Sequence, residues 1–396
     1  MKKPLEGVRV LDLTRVLAGP FCTMMLLDLG AEVIKVENPN GGDDSRAFGP
    51  FQNGRSAYFL TINRGKKSIS LNLKTQEGKQ LLRDLVKHCD VICENYTPGT
   101  MEKLGLGYDD LRVINPRIIY AAMSGFGHSG PDMNKPAYDI LVQAMGGVMS
   151  ITGWPGSAPT RVGVSMGDIS AALFGAIGLT TALYQREKTG VGQKVDVAML
   201  DCQAAMLENA LARFQVEKAV PQPLGSRHPS ISPFQAYKAS DGYLIIAAGN
   251  DNLWSKLCTA LNCTPLISDA RFQTNAQRTS NVIEVETELN AILDQKTVAQ
   301  WMDILNNAGV PCSPVNGMDA VLQHPQLNAR NMFVDVTDPA FPGMKVPGNP
   351  IKMSCLAEEL SRDKAPDIGE HNSEVLRDLL GMSNAQIAAL KALGVM

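Results

Sequence analysis

Gly7-Val8-Arg9-Val10-Leu11-Asp12-Leu13-Thr14-Arg15-Val16-Leu17-Ala18-Gly19-Pro20, continued by Gly30-Ala31-Glu32-Val33-Ile34-Lys35-Val36-Glu37, is the stretch on which the fold turns. Val8 to Leu13 is a short, mostly apolar run that predicts a buried strand. Phe21 to Leu29 predicts an apolar helix stopped at Gly30, and Glu32 to Val36 a second strand. A strand, a helix and a strand in so few residues make a βαβ unit, whose strands lie parallel.

Outward from this unit the pattern repeats. Strands are expected at Ser68 to Leu73, Val91 to Cys93 and Ile118 to Met123, with a helix over Gln76 to His88 and a short one after Pro98. Such alternation predicts an α/β fold, a Rossmann-like parallel sheet covered on both faces. From about Ser165 to Glu187 the chain is rich in Ala, Gly, Leu and Ile without turn signals, as a buried helix should be. A strand at Lys194 to Val197 and a helix from Met199 follow. The composition changes near Pro221-Gln222-Pro223, and Gly225 to Pro233 reads as a linker. Beyond it a hairpin is expected to pair Phe234 to Lys238 with Tyr243 to Ala248, followed by helices near 252 to 261, 282 to 294 and 297 to 307. The expected organisation is a large domain over 1–220, a smaller α+β domain over 221–326, and a segment 327–396 that rejoins the first.

The chain has 396 residues, enough for two domains, and its 37 basic and 40 acidic residues give none of the one-sided charge that nucleic acid or a membrane surface attracts. No apolar run of spanning length stands out, and the N-terminus resembles no export signal, so a cytoplasmic protein is expected. The eight cysteines fall among apolar neighbours without zinc spacing, which predicts reduced thiols and no metal site.

A strand followed by a Gly-containing turn and a helix N-terminus suits phosphate, because backbone N–H groups and the helix dipole point at the ligand. A dinucleotide reading would use Glu37 as ribose partner. The loop Arg15 to Pro20 has one glycine where that fingerprint wants three, which leaves an NAD-dependent oxidoreductase as the weaker alternative. Gly19-Pro20 would also serve simply to turn the chain into a helix.

The opening stretch resembles the start of the class III CoA-transferases. The resemblance continues in order through Asn63-Arg64-Gly65-Lys66-Lys67-Ser68, Glu94-Asn95-Tyr96-Thr97-Pro98-Gly99, Ser124-Gly125-Phe126-Gly127, Gly167-Asp168 and Lys188-Thr189-Gly190-Val191-Gly192-Gln193. It closes with Gly309-Val310-Pro311-Cys312 and Gly369-Glu370-His371, and so spans nearly the whole chain. It implies a large domain built from both chain ends and a homodimer whose subunits interlock. It also implies coenzyme A or acyl-CoA as substrate, with no tightly bound cofactor. The CoA positions it implies are Arg15, Val16, Leu17, Ala18, Leu71, Asn72, Lys74, Asn95, Tyr96, Thr97, Lys103 and Tyr138. Arg15 stands where some members have histidine, Asn38 where some have arginine, and Lys103 where arginine is common. Gly225-Ser226-Arg227-His228-Pro229 and Ala248-Gly249-Asn250-Asp251-Asn252 are most similar to members acting on small dicarboxylates.

Asp168 follows a loop of small residues at the mouth of the long apolar helix, where an aspartate could serve as N-cap. The resemblance implies another role, that of the catalytic nucleophile. A carboxylate can carry an acyl group and then a CoA thioester, and needs neither metal nor nicotinamide to do so. Such intermediates hydrolyse readily, so water must be excluded and backbone donors supplied. Gly249 and Asn250 are the candidates. Arg46, Arg227 and His228 are candidates for holding an acceptor's far carboxylate. The α-methylacyl-CoA racemases share the fold and are the other alternative, but they have a histidine where this chain has Tyr138, a poor base at neutral pH. His128, in a Gly-rich loop, is expected at the surface.

Overall fold

The computed structural model describes residues 2–396. Six strands form one sheet: β1 (Arg9–Asp12), β2 (Glu32–Glu37), β3 (Lys67–Ser70), β4 (Val91–Glu94), β5 (Ile119–Ser124) and β6 (Lys194–Ala198). All neighbours are parallel, in the order β3-β2-β1-β4-β5-β6. That order starts in the middle and winds outward twice: β2 and β3 extend to one side of β1, and the chain then crosses back so that β4, β5 and β6 extend to the other. A crevice opens at such a reversal, outside the carboxyl ends of the two strands.

Side chains alternate across the strands and build a core on each face. Val10, Val91, Cys93, Ile119 and Ala121 pack under α1 (Ala18–Asp28) and the long helix Met166–Thr189. Leu11, Ile92, Tyr120 and Ala122 pack on the opposite face, against Leu82 and Leu85 and against Val375, Leu376 and Ile387 near the C-terminus. The C-terminal segment is tied in by hydrogen bonds. The ring of His371 accepts the Ser68 N–H at 3.1 Å, and Asn372 Oδ1 accepts the Ser70 N–H at 2.8 Å.

Several local expectations shift. The first helix begins at Ala18, so Gly19 and Pro20 lie inside its first turn. Proline is tolerated there because a first-turn N–H has no partner within the helix. Gly19 is required by contact, since a Cβ on it would lie 2.2 Å from Thr14 Cβ. A helix over Ala57–Asn63 was not anticipated. The long helix is long and apolar enough to cross a membrane by length and composition alone, and its buried face packs on α1, β5 and β6.

The chain divides into two compact units. The larger runs to Val148, resumes over Arg161–Ala212 and closes with Pro325–Met396; the smaller is Met149–Thr160 with Arg213–His324. Residues 149–160 thus group with the smaller unit, outside the span expected for it. In that unit the hairpin strands Phe234–Lys238 and Tyr243–Ala247 are antiparallel, and Cys312–Pro314 adds a third strand. They pack on a core of Trp254, Phe272, Leu289 and Trp301.

Candidate functional site

The loops that leave β1 and β4 meet across the crevice. Asn95, one residue past β4, accepts the Arg15 N–H and donates to the Arg15 carbonyl, both at 2.8 Å. One side-chain amide thereby fixes the backbone of the first loop. Behind that loop lies a layer of buried charge. Lys66 donates to Asp12, Thr23, Asn63 and the Pro20 carbonyl. Lys35 donates to the Thr14 carbonyl and pairs with Asp43. The opposite charges of Lys66 and Lys35 hold the fully buried Asp12 carboxyl below its ordinary range against the opposing effect of burial.

A cavity of about 300 Å³ opens at this point. Among the residues expected to meet CoA, Arg15, Val16, Leu17, Ala18, Asn95, Tyr96, Thr97 and Tyr138 line it, and Asp168 lines it with them. Asp168 is the third residue of its helix, so the capping alternative does not hold; the N-cap is Ser165. The Gly167 N–H in that first turn goes instead to Asp139 Oδ1 at 2.7 Å. Asp139 is further held by Gln143 at 2.8 Å and by Arg161 at 3.6 Å. Burial first, and the negative charge of Asp139 second, raise the Asp168 carboxyl from 3.8 to about 7. Half of such a group is ionised near neutrality, so it can attack as a carboxylate while resting partly as the acid.

A second cavity of about 350 Å³ lies beyond the ends of β2 and β3. Leu71, Asn72, Lys74, Tyr96 and Lys103 line it, and so does Asn38. Tyr96 lines both cavities. Glu37, the would-be ribose partner, is already engaged: it accepts from Arg46 at 2.7 and 2.8 Å, from Ser68 Oγ at 2.7 Å and from the Asp43 N–H at 3.0 Å.

That pairing removes Arg46 as a free cation for a substrate carboxylate. The other two candidates belong to the smaller unit and are also occupied. Arg227 pairs with Glu286, while His228 accepts the Ser230 N–H at 3.1 Å and packs edge-on against Phe234. The cations that line the Asp168 cavity are Arg15 and Lys135. Arg15 is paired with Asp44 at 3.1 Å and Lys135 with Asp132 at 2.8 Å, and all four side chains are at least partly exposed. Lys135 was not singled out in the sequence, where a lysine between Asn134 and Pro136 carries no pattern. Tyr58 was missed with its helix; burial, followed by the charge of Asp168, pushes its phenol up to about 12.

Gly249 and Asn250 lie in the smaller unit. The Asn250 side chain caps the helix Asp251–Ala260 by accepting the Leu253 N–H at 2.9 Å. At Gly249 a Cβ would come within 2.7 Å of Ile231 Cγ2. His128 departs from its expected place at the surface, because its side chain is only 9% exposed. Its Nδ1 is 2.9 Å from Lys194 Nζ and its Nε2 3.6 Å from Glu94. Burial and the Lys194 charge lower its pKa, and burial raises Glu94 to about 7. The eight cysteines are unpaired, and among the described residues no cluster of acids, histidines or cysteines has the form of a metal site.

The family model for CoA-transferase family III matches residues 5–372. An acetyl-CoA:oxalate CoA-transferase from Acetobacter aceti is 41% identical over 378 residues, 95% of this chain and 96% of that protein. A succinyl-CoA:glutarate CoA-transferase from Mus musculus is 40% identical, over 99% of this chain and 90% of that one. Among solved structures, a CAIB/BAIF family protein from Brucella suis superposes with a TM-score of 0.86 at 38% identity, covering 96% of this chain and all of that one. A doubly wound sheet alone would also suit a dinucleotide enzyme or a racemase. The whole-length match removes that ambiguity, and the chain belongs to CoA-transferase family III.

Proposed function

We propose that this enzyme moves CoA from succinyl-CoA or acetyl-CoA to a short dicarboxylate through covalent intermediates on Asp168. The observation that carries the reading is a carboxyl group raised to about 7, set in a cavity at the reversal of the sheet. The named activities of the relatives support the choice of substrates. The Asp168 carboxylate attacks the donor thioester carbonyl, the C–S bond breaks, and CoA leaves as the thiolate, with a mixed anhydride remaining on Asp168. The thiolate attacks the aspartyl carbonyl, forms an aspartyl-CoA thioester and frees the donor acid. The acceptor carboxylate then attacks that thioester, and the thiolate opens the second anhydride at the acceptor carbonyl to give product and free Asp168.

Tyr96, which lines both cavities, supports a reading in which CoA spans them. Its thioester end would lie by Asp168 and its nucleotide end by Leu71, Asn72, Lys74 and Lys103. Arg15 and Lys135 are proposed to meet the acceptor's far carboxylate, which would be expensive to enclose unpaired. Gly249 and Asn250 are proposed to offer backbone N–H groups to the acyl intermediate, since the Asn250 side chain is spent on its helix. A homodimer is proposed from the apolar stripe Leu173, Ile177 and Tyr184 on the long helix, where Ile177 is 60% exposed. Monomeric soluble proteins seldom leave such a stripe to water.

The test is a panel of mono- and dicarboxylates offered with succinyl-CoA and acetyl-CoA, scored by the mass of the CoA product. Incubation with acyl-CoA alone should add mass to the peptide holding Asp168, and hydroxylamine should convert that residue to a hydroxamate. Transfer by purified Asp168→Asn protein would overturn the reading.

A further inference from the structure

Val16 has a φ of +65°, a left-handed conformation that β-branched residues rarely adopt and that persists only where surrounding structure enforces it. Asp43 Oδ1 accepts the Val16 N–H at 3.1 Å. The other oxygen of Asp43 pairs with Lys35 Nζ at 2.8 Å, with side-chain exposures of 1% and 0%. The same ammonium donates to the Thr14 carbonyl at 2.8 Å, so one buried pair grips the loop on both sides of Arg15. The Asp43 N–H is in turn held by Glu37 at 3.0 Å. Both Lys35 and Glu37 come from β2, two residues apart and buried beside Val33, Ile34 and Val36 of the same strand.

Fold stability is a poor explanation for this arrangement, because a fully buried ion pair is often no better for folding than apolar residues of similar size. Asp43 Oδ1 also accepts the Ser45 N–H at 2.9 Å and Ser45 Oγ at 2.7 Å, capping the short helical turn Asp44–Ala47. That local cap needs no lysine behind it, and the pair reaches past it to both sides of the loop Thr14 to Val16, which enters the cavity that holds Asp168. We infer that Asp43, backed by Lys35, is a positioning residue that holds Val16 left-handed so that Val16, Leu17 and Ala18 present one fixed surface to CoA. The inference rests on the proposal that this cavity binds CoA, and touches neither Asp168 nor the transfer steps.

The conformational preference of residue 16 makes the idea testable, because glycine adopts a positive φ without being held there. The dissociation constant of CoA is measured by calorimetry for wild type, Asp43→Ala, Val16→Gly and the double variant. Loss of Asp43 should weaken binding about tenfold or more beside valine, and less than about threefold in the Val16→Gly background, a coupling that a purely structural role would not produce. Equal losses in both backgrounds, or no loss beside valine, would overturn the inference. Asp43→Leu, close in size and without an acceptor oxygen, is carried through the same comparison so that a folding failure of the alanine variant leaves the result readable. Hydrogen exchange supplies a readout independent of CoA: the peptide covering residues 13–18 should exchange about tenfold faster in the Asp43 variants. Unchanged exchange there would also overturn the clamp. Wild-type protein that fails to bind CoA would instead remove the functional reading, while the exchange data still judge the clamp.

Discussion

The carboxylate of Asp139 accepts the backbone N–H of Gly167 at 2.7 Å, so the turn that carries Asp168 is held by a second acid. This contact steadies the helix N-terminus and also places a like charge beside Asp168, where it adds to burial in raising that carboxyl. Asp139→Asn should separate the two effects, since the amide oxygen still accepts the N–H while the charge is gone. The Asp168 titration, followed as the acid limb of kcat/KM, should move to lower pH with little loss of stability. Asp139→Ala should lose about 1 kcal/mol as well. An unmoved limb in the asparagine variant would show that Asp139 acts by its hydrogen bond alone.

The pH profile of wild type follows from the same group. As the proposed nucleophile Asp168 must be ionised, and burial raises its pKa to about 7, so kcat/KM should fall as pH drops through neutrality. Initial rates at saturating acceptor across about pH 5.5 to 9 check this, because kcat/KM reports groups of the free enzyme. A flat profile down to pH 5.5 would contradict it.

Stability should vary in the opposite sense. The folded-state pKa of Asp168, about 7, lies above its ordinary 3.8, so the folded protein binds this proton more tightly than the unfolded chain. The stability this contributes is fully present below the ordinary value and is lost as pH rises through about 7. Asp168→Asn removes the penalty and should be more stable than wild type at pH 8 by on the order of 2 to 3 kcal/mol, with little difference near pH 4. Thermal melts at both pH values test this, and transfer activity should be lost at each. Equal melting shifts at the two pH values would mean that Asp168 does not titrate as described.

Gly249→Val should slow transfer and let water compete for the acyl-enzyme. The structure adds a packing effect, because the new Cβ meets Ile231 at 2.7 Å, and overpacking of this kind costs about 1 to 3 kcal/mol. Combining Gly249→Val with Ile231→Ala, which removes the clashing Cγ2, should recover part of the stability without restoring the ratio of transfer to hydrolysis. A double variant with the wild-type ratio would reduce the role of Gly249 to packing.

The two cavities predict separable Michaelis constants. Lys135→Ala should raise the acceptor's KM several-fold and leave that of acyl-CoA nearly unchanged, whereas Lys103→Ala should do the reverse. Each lysine is exposed, so melting temperatures should move by less than about 1 °C. Matching changes in both constants for Lys135→Ala would argue against a place beside the acceptor.

The strands of the sheet, the long helix and the Asp168 position were readable from the chain alone, because each rests on local pattern: period, punctuation by glycine, and ordered motifs. Parallel pairing followed from βαβ alternation, which leaves few ways to cover a strand on both faces. What the chain could not declare were the pairings between distant residues. Arg46 reads in the chain as available for substrate, yet Glu37 lies across from it, and His128 reads as exposed, yet Glu94 and Lys194 lie around it. The acid that holds the turn of Asp168 comes from residue 139, and the one that grips the first loop from residue 43. Charge and burial act through space, so the pKa of Asp168, the occupied cations and the left-handed Val16 were decided by the tertiary structure, whereas secondary structure and topology follow from interactions near in sequence.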